Sequence, residues 1–279
     1  MMETIIIKNI SDLYTVMDDT GCYDCKAKGV FRNKNITPTV GDKVLFDKEQ
    51  KVITKILDRK NILVRPPVAN IDIAIIVMSV VNPEFSTNLV DKLINIIEYN
   101  NIKPVLCLSK LDLLKNNKDE IDNIIAYYKS IGYLVLLNTE INKIKKLIDG
   151  KVVVLTGQSG VGKSSLLNRL DASLELKTND ISYALGRGKH TTRHTELIPI
   201  FGGFIADTPG FSSLSFINMT KEDIKNNFVE FKNYTCKYRD CMHIKEDDCS
   251  VKNAVKSGEI MQSRYDNYVK FISEIKSIY

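Results

Sequence analysis

The chain has 279 residues, 44% of them hydrophobic, and a net charge of +5 at pH 7. That length and apolar content suit one large or two to three small domains with real cores, which excludes a disordered chain. The sequence lacks an apolar run of membrane-spanning length and a secretory leader, so we expect a cytoplasmic protein without membrane contact. The mild positive charge permits nucleic-acid binding without demonstrating it.

Short alternating apolar runs occupy the beginning of the chain. They include Thr4–Lys8, Gly41–Phe46 and Lys51–Leu57, separated by turn-rich stretches. Alternation of this kind is typical of strands with one buried face, and five such strands fit an OB-like β-barrel. We therefore predict a barrel over residues 1–66, ending where the prolines of Arg65-Pro66-Pro67 break the strand pattern.

The barrel segment also carries a basic cluster. Lys26, Lys28, Arg32 and Lys34 surround Phe31, which offers positive charge for phosphates and one aromatic face for stacking on a base. A merely solvated charged face explains the same residues equally well. Cys22 and Cys25 form a C-x-x-C pair without further ligands nearby, and we interpret them as ordinary thiols of a strand or turn.

From Ile71 onward the hydrophobic pattern changes, and long apolar runs alternate with segments of helical periodicity. Strand Ile71–Val81, helix Thr87–Tyr99 and strand Pro104–Leu108 begin the series. It continues with helix Asp119–Ile131, strand Tyr133–Leu137, a short helix ending near Ile148 and strand Val152–Leu155. This alternation predicts an α/β domain over residues 67–217 with a mostly parallel sheet covered by helices.

A phosphate-binding loop follows the last of these strands. Gly157–Ser164 matches G-x-x-x-x-G-K-[ST] between a strand and a helix, the context in which that motif binds nucleotides. We expect Lys163 to contact the β- and γ-phosphates as a catalytic residue, and Ser164 to bind Mg²⁺. The predicted nucleotide-binding residues of this loop are Gly157, Gln158, Ser159, Gly160, Val161, Gly162, Lys163, Ser164 and Ser165.

The base-recognition motif precedes the phosphate loop. Ser109, Lys110 and Asp112 form S-K-L-D at the end of a strand, where α/β sheets bind ligands. An aspartate there accepts two hydrogen bonds from guanine that adenine does not offer, so the motif predicts GTP. Alone, this tetrapeptide is more often an ordinary loop, and its weight comes from the phosphate loop in the same chain.

A second phosphate-sensing motif comes after the phosphate loop. Asp207–Gly210 reads D-T-P-G; we expect Asp207 to hold Mg²⁺ and the Gly210 N–H to contact the γ-phosphate. Between the two motifs lies a basic segment, Gly186–His194, whose Thr192 we favour over Thr191 as a further Mg²⁺ ligand. The base motif thus precedes the phosphate loop, the order of a circularly permuted GTPase.

No motif in the sequence identifies the residue that activates water for GTP hydrolysis. Phe211 stands where many GTPases carry a glutamine that orients the attacking water. His190 is the nearest candidate in the sequence to orient or deprotonate that water. The alternative is that His190 contacts only RNA or solvent. Slow turnover that a partner accelerates is expected in either case.

A cluster of metal-binding residues lies near the C-terminus. Cys236, Cys241, His243 and Cys249 supply three thiolates and one imidazole, a closed set for one structural zinc ion. Apolar residues at helical spacing over Glu259–Ile278 predict a terminal helix. Residues 218–279 are therefore expected to form a zinc-binding module, with Lys237, Arg239 and Lys245 available for phosphate contacts.

Barrel, permuted GTPase and Cys₃His module in this order resemble the ribosome small-subunit-dependent GTPase A family (RsgA/YjeQ). The resemblance spans nearly the whole chain and includes G-R-G-K-H-T-T at Gly186–Thr192 and R-P-P-V-A-N at Arg65–Asn70. It implies a monomeric late maturation factor that binds the 30S subunit and 16S rRNA through barrel and zinc module, and hydrolyses GTP to GDP when stimulated there. It also implies that His190 is the hydrolytic residue.

Two departures from the family pattern affect the base site. Ser109 stands in place of the usual asparagine, and Asn138-Thr139 in place of a Ser-Ala pair near the base. Serine still offers a hydrogen bond and the second motif acts mainly through backbone N–H groups, so guanine binding either tolerates both changes or is weakened by them. Two alternatives remain: a P-loop ATPase or kinase, which Asp112 disfavours, and an RNA-binding adaptor that uses nucleotide only as a structural ligand.

Overall fold

The computed structural model describes most of the chain, namely residues 2–29, 31, 36–64, 67–174, 195–207 and 215–275. Among these residues, every helix is too short or too polar to cross a lipid bilayer.

The N-terminal strands close into a barrel. They are β1 (Met2–Ile10), β2 (Leu13–Asp18), β3 (Gly21–Ala27), β4 (Lys43–Asp47) and β5 (Val52–Ile56). Pairing runs β1-β2-β3-β5-β4 and returns from β4 to β1. Alternate residues such as Ile6, Val16 and Phe46 point inward and are fully buried. The predicted five-stranded barrel is confirmed.

The linker after the barrel packs back onto it. A hairpin of β6 (Ile62–Val64) and β7 (Pro67–Ala69) lies there, and the Ala69 N–H donates to the Val40 carbonyl at 2.8 Å. Gly41 has φ +89°, and a Cβ at this position would lie 2.1 Å from the Ala69 carbonyl oxygen. Only glycine therefore permits this close approach of the two backbones.

A six-stranded sheet forms the centre of the second domain. Its strands are β8 (Ile73–Ser79), β9 (Lys103–Ser109), β10 (Leu134–Leu137), β11 (Val152–Thr156), β12 (Glu196–Ile200) and β13 (Gly203–Asp207). Their order is β10-β9-β8-β11-β13-β12, parallel except for antiparallel β12. Strand β12 also pairs with barrel strand β1, so one sheet runs through both domains.

Helices cover both faces of this sheet. They are α1 (Thr87–Tyr99), α2 (Lys118–Ser130), α3 (Ile141–Ile148) and α4 (Lys163–Leu170). Helices α1 and α2 pack into one core with alternate strand residues, whereas α3 and α4 pack into the core on the other face. The parallel sheet and its helices confirm the predicted α/β architecture.

The C-terminal region consists mainly of short helices and loops. It holds α5 (Lys221–Asn226), a 3₁₀ turn (Val229–Asn233), α6 (Ser250–Lys256) and α7 (Gln262–Glu274). The terminal helix starts later than the predicted Glu259, because Gly258 adopts φ +80° after α6 and the Ile260 N–H bonds back to the Ala254 carbonyl at 3.1 Å. This turn ends one helix and reverses the chain before the next.

A buried charged network attaches this region to helix α1. Arg264 of α7 is fully buried and donates to Asp91 at 2.7 Å and to Glu230 at 2.8 and 2.9 Å. Asp91 also accepts from Tyr128 at 2.5 Å and from Asn267 at 2.6 Å. Every charge in the network has an opposite charge and hydrogen bonds, which a buried ion requires.

Candidate nucleotide site and metal centre

The phosphate loop connects β11 to α4, as predicted. Gly157 has φ +136°, and a Cβ there would lie 2.1 Å from the Val77 carbonyl oxygen of β8. The loop therefore lies directly against the neighbouring strand, and Val161 anchors it by packing fully buried in the core. Ser164 is buried in the first turn of α4, whose N-terminus attracts anions.

Lys163 begins helix α4 and turns back over the loop. Its ammonium donates to the Gly157 carbonyl at 2.7 Å and the Gln158 carbonyl at 2.6 Å. Burial lowers the pKa of Lys163 to about 8. The side chain is thus held over the loop backbone, where the motif requires a cation for phosphate.

Ser109 ties the base-recognition loop to the phosphate loop. The residue is fully buried at the end of β9, and its hydroxyl lies 2.5 Å from the Val161 carbonyl and 3.2 Å from the Met78 carbonyl. Its single proton serves the shorter contact. The sequence placed Ser109 among the nucleotide-binding residues, and its side chain contacts the phosphate loop in the structure.

The remaining base-loop residues stand at the same sheet edge. Lys110 has φ +61° and donates through its ammonium to the Asn82 carbonyl, a partner that sequence reasoning did not include. Asp112 lies exposed in a 3₁₀ turn, with its carboxylate accessible to solvent. The Asn138 N–H donates to the Leu108 carbonyl at 2.8 Å, which places the Asn138-Thr139 loop beside the base loop.

The D-T-P-G motif starts at this edge as well. Ala206 pairs with Val154 of β11, so Asp207 emerges beside the phosphate loop. Several other predicted residues lie outside the described part of the chain, namely His190, Thr191, Thr192, Gly210 and Phe211. The structure therefore brings the phosphate loop, the base loop and Asp207 to one edge, and the roles predicted for these residues stay predictions.

The four predicted zinc ligands lie together. The His243 Nδ1 atom is 3.5, 3.4 and 3.4 Å from the sulfurs of Cys236, Cys241 and Cys249, and two of those sulfurs are 3.8 Å apart. Zinc bound to thiolates and imidazole holds its ligand atoms about 3.5–3.8 Å apart in a tetrahedron. The cluster is therefore compatible with one structural zinc ion.

Residues around the cluster hold its backbone. Tyr265 and Tyr268 of α7 donate to the carbonyls of His243 and Met242 at 2.7 and 2.5 Å. The Glu246 carboxylate accepts from the N–H groups of Met242 and Ile244, both at 2.9 Å. The terminal helix therefore braces the metal-binding loop, as supporting residues do in other metal sites.

The barrel corrects one expectation about nucleic-acid binding. Phe31 is 8% exposed and belongs to the hydrophobic core, so its ring offers little surface for stacking on a base. Lys26 and Lys28 flank an open groove of the barrel that also contains exposed Leu13 and Ile36. Lys26 and Lys28 give this groove positive charge without the predicted aromatic platform, and Arg32 and Lys34 lie outside the described residues.

Fold and site together define a circularly permuted P-loop GTPase with a barrel before it and a Cys₃His module after it. The family model described as RsgA GTPase matches residues 56–217, and the RsgA N-terminal domain matches residues 3–54. The chain belongs to the RsgA GTPase family and is a GTP-hydrolysing enzyme.

Curated relatives match along almost the full length. A Bacillus cereus protein named "Small ribosomal subunit biogenesis GTPase RsgA" is 48% identical, covering 99% of this chain and 98% of its own. A Listeria monocytogenes protein, "Small ribosomal subunit biogenesis GTPase RsgA 2", is 50% identical with the same coverage of both chains. The resemblance inferred from the motifs is therefore confirmed.

Solved structures share the whole architecture. YloQ, described as a circularly permuted GTPase, superposes with a TM-score of 0.83 at 38% identity, covering 99% of this chain and 96% of that chain. YjeQ from Thermotoga maritima has a TM-score of 0.83 at 35% identity, covering 98% and 97%. The permuted motif order inferred from the sequence is thus shared with solved proteins.

Proposed function

We propose that this chain is a cytoplasmic, monomeric GTPase of late small-subunit maturation. It hydrolyses GTP to GDP and phosphate, is stimulated by the 30S subunit, and binds 16S rRNA through the barrel (1–66) and the zinc module (218–279), with the GTPase domain (67–217) between them. The observation that carries the proposal is the convergence of the phosphate loop, base loop and Asp207 on one sheet edge in a member of the RsgA GTPase family.

The nucleotide is held at both ends. Lys163 and the loop N–H groups bind the β- and γ-phosphates, and the exposed Asp112 carboxylate accepts hydrogen bonds from guanine. Ser164, Thr192 and Asp207 supply oxygens for Mg²⁺, which neutralises charge on the phosphates when bound. His190 orients the attacking water, and the Gly210 N–H contacts the γ-phosphate.

Basic residues on the outer modules support binding to rRNA. Tyr238 of the zinc module is 51% exposed, with the Lys237 ammonium 5.8 Å from its ring, and Arg239 is exposed next to it in the chain. Lys26 and Lys28 give the barrel groove a similar charge. Cations beside an exposed aromatic ring suit contact with phosphates and an unpaired base.

The test is GTP and ATP hydrolysis by the purified protein, alone and with small ribosomal subunits. We expect the subunit to stimulate GTP turnover only. The His190→Ala protein should lose about 10²-fold or more of the stimulated rate, the usual contribution of a residue that handles a proton. His194→Ala, in the same basic segment, is the matched control and should keep most of it.

Each contrary result points to a different class of protein. Equal use of ATP would indicate a P-loop ATPase. Absence of stimulation, together with full cellular function of the Lys163→Ala protein, would indicate an adaptor that does not need turnover. Normal turnover by His190→Ala would remove only the histidine from the mechanism.

A further inference from the structure

Barrel strand β1 is paired with the edge strand of the GTPase sheet at one residue pair. Lys8 of β1 is the antiparallel partner of Glu196, the first residue of β12. Strand β1 has a register shift between Ile6 and Lys8, so its pairing is irregular at this point. Among the described residues no other pair joins these two strands, so the direct pairing of barrel and sheet edge is confined to this point.

The same residue of β12 lies beside the D-T-P-G motif. Glu196 is also the antiparallel partner of Asp207 of β13. Lys8, Glu196 and Asp207 therefore form one row across three adjacent strands. A barrel residue lies two strands from the aspartate predicted to hold Mg²⁺, although it is far away in sequence.

Side chains strengthen this pairing. The Lys8 ammonium lies 3.3 Å from the Glu196 carboxylate, and the two side chains are 31% and 23% exposed. Leu197, the next residue of β12, is 1% exposed and packs in the same core as the barrel residues Ile6 and Val16. The start of β12 is therefore fixed by the barrel on one side and by β13 on the other.

We propose that Lys8 and Glu196 are positioning residues for GTP hydrolysis, which hold β12 and Asp207 in register with the barrel. The inference rests on the proposed function, because it assigns the barrel a role in stimulation by the small subunit. Binding of the small subunit to the barrel reduces the motion of β1. Because Lys8, Glu196 and Asp207 are paired in one row, the position of Asp207 at the phosphate-binding edge is fixed as well. The predicted residues Thr192 and His190 precede Glu196 in the chain by only four and six positions.

The test is the ratio of stimulated to unstimulated kcat for GTP. Lys8→Glu and Glu196→Lys each place like charges together, and we expect each to lower this ratio about fivefold, as loss of an exposed pair followed by repulsion would. The combined Lys8→Glu/Glu196→Lys protein restores the opposite charges and should recover the wild-type ratio. Glu3→Lys, an exposed charge reversal elsewhere on β1, is the control and should leave the ratio unchanged.

A cross-link provides a second measurement. Directly paired antiparallel residues have Cα atoms about 4.5–5.5 Å apart, within reach of a disulfide. The Lys8→Cys/Glu196→Cys protein, made with Cys22→Ser to remove the exposed thiol, should keep the wild-type ratio when oxidised. Loss of stimulation on oxidation would overturn the proposal, because it would mean that the junction must open.

Failure of this inference is distinguishable from failure of the proposed function. If the small subunit does not stimulate the wild-type protein, the proposed function is wrong. If it stimulates wild type and both single reversals equally, or if the combined reversal does not recover, the positioning role is wrong and the proposed function stands.

Discussion

The barrel and the zinc module are attached to the GTPase domain by different chemistry. The barrel is attached by backbone contacts, such as Ala69 to Val40, by an apolar core that Ile6 and Val16 share with Leu197, and by the partly exposed ion pairs Lys8–Glu196 and Lys60–Asp72. The zinc module uses a fully buried network in which Arg264 meets two carboxylates. A buried ion pair that loses one partner costs several kcal/mol, whereas an exposed pair contributes little. The attachment of the zinc module thus depends on a buried ionic network, whereas the ion pairs of the barrel contribute little and its attachment depends on apolar packing and backbone contacts.

Removal of zinc should have the largest effect, because it should unfold the zinc module and leave the barrel folded. Structural zinc sites contribute roughly 10–16 kcal/mol of apparent binding free energy at pH 7, most of which supports folding. We expect a chelator to abolish hydrogen-exchange protection in α6 and α7 while the barrel strands stay protected. Cys241→Ser should lose the metal, measured as zinc per protein, whereas the exposed Cys22→Ser should keep it. Retained protection of α6 and α7 without metal would contradict the zinc assignment.

Breaking the buried network should come next. Arg264→Met leaves Asp91 and Glu230 without their cation, and we expect the free energy of unfolding to fall by about 3–5 kcal/mol. Lys92→Met is the matched control, because it removes the exposed pair with Glu274, and should cost less than about 1 kcal/mol. Urea unfolding of both proteins measures the difference. Equal losses would mean that burial does not distinguish the two pairs.

Glu98 should make stability depend on pH on the zinc-module side. It lies in the last turn of α1 and accepts from the Tyr133 hydroxyl at 3.1 Å, and burial raises its pKa to about 7. Since the unfolded carboxyl titrates near 4.5, stability should fall as pH rises from about 4.5 to about 7 and then level off, by at most about 3 kcal/mol.

The Glu98→Gln protein tests this dependence by urea unfolding between pH 5 and 8. It should lack the decline and be more stable than wild type above pH 7. Glu120→Gln, at an exposed position of α2, should keep the wild-type profile. An unchanged profile in Glu98→Gln would assign the pH dependence to other groups.

The smallest expected effect concerns the barrel linker. Gly41→Ala introduces a Cβ 2.1 Å from the Ala69 carbonyl at a left-handed φ, and should cost about 1–3 kcal/mol with faster exchange of the Ala69 amide. Gly29→Ala is the control, since its Cβ would meet open space. Normal protection of Ala69 in Gly41→Ala would show that the hairpin does not depend on this contact.

Much of the fold was predictable, because hydrophobic periodicity reports which faces are buried. Helix Thr87–Tyr99 has the predicted bounds, and strands such as Ile73–Ser79 lie inside the predicted runs. The shared sheet was not predictable, since the pairing of Lys8 with Glu196 depends on how two distant segments meet in space. Local pattern carries no information about such contacts.

In the candidate site too, short motifs were predictable from the sequence, whereas contacts between distant segments were not. The phosphate loop and zinc ligands were readable because their spacing is short and fixed by chemistry. Ser109 was identified by its motif, but the direction of its hydroxyl toward Val161 required the structure. The role of Arg264 was harder to predict. Asp91 lies next to buried Val90 in α1, and a carboxylate beside the apolar face of a helix indicates a buried cationic partner. The sequence does not identify that partner as Arg264.

The buried network also has a consequence for protein synthesis. Asp91 meets Arg264 across 173 residues of sequence, and that arginine belongs to the last helix described. While the chain emerges from the ribosome, helix α1 forms long before its counter-ion is available, so its carboxylate must remain hydrated and its apolar face incompletely covered. The GTPase domain therefore reaches its final packing only after Arg264 has been synthesised, and a chain terminated before that residue carries an unpaired carboxylate in α1.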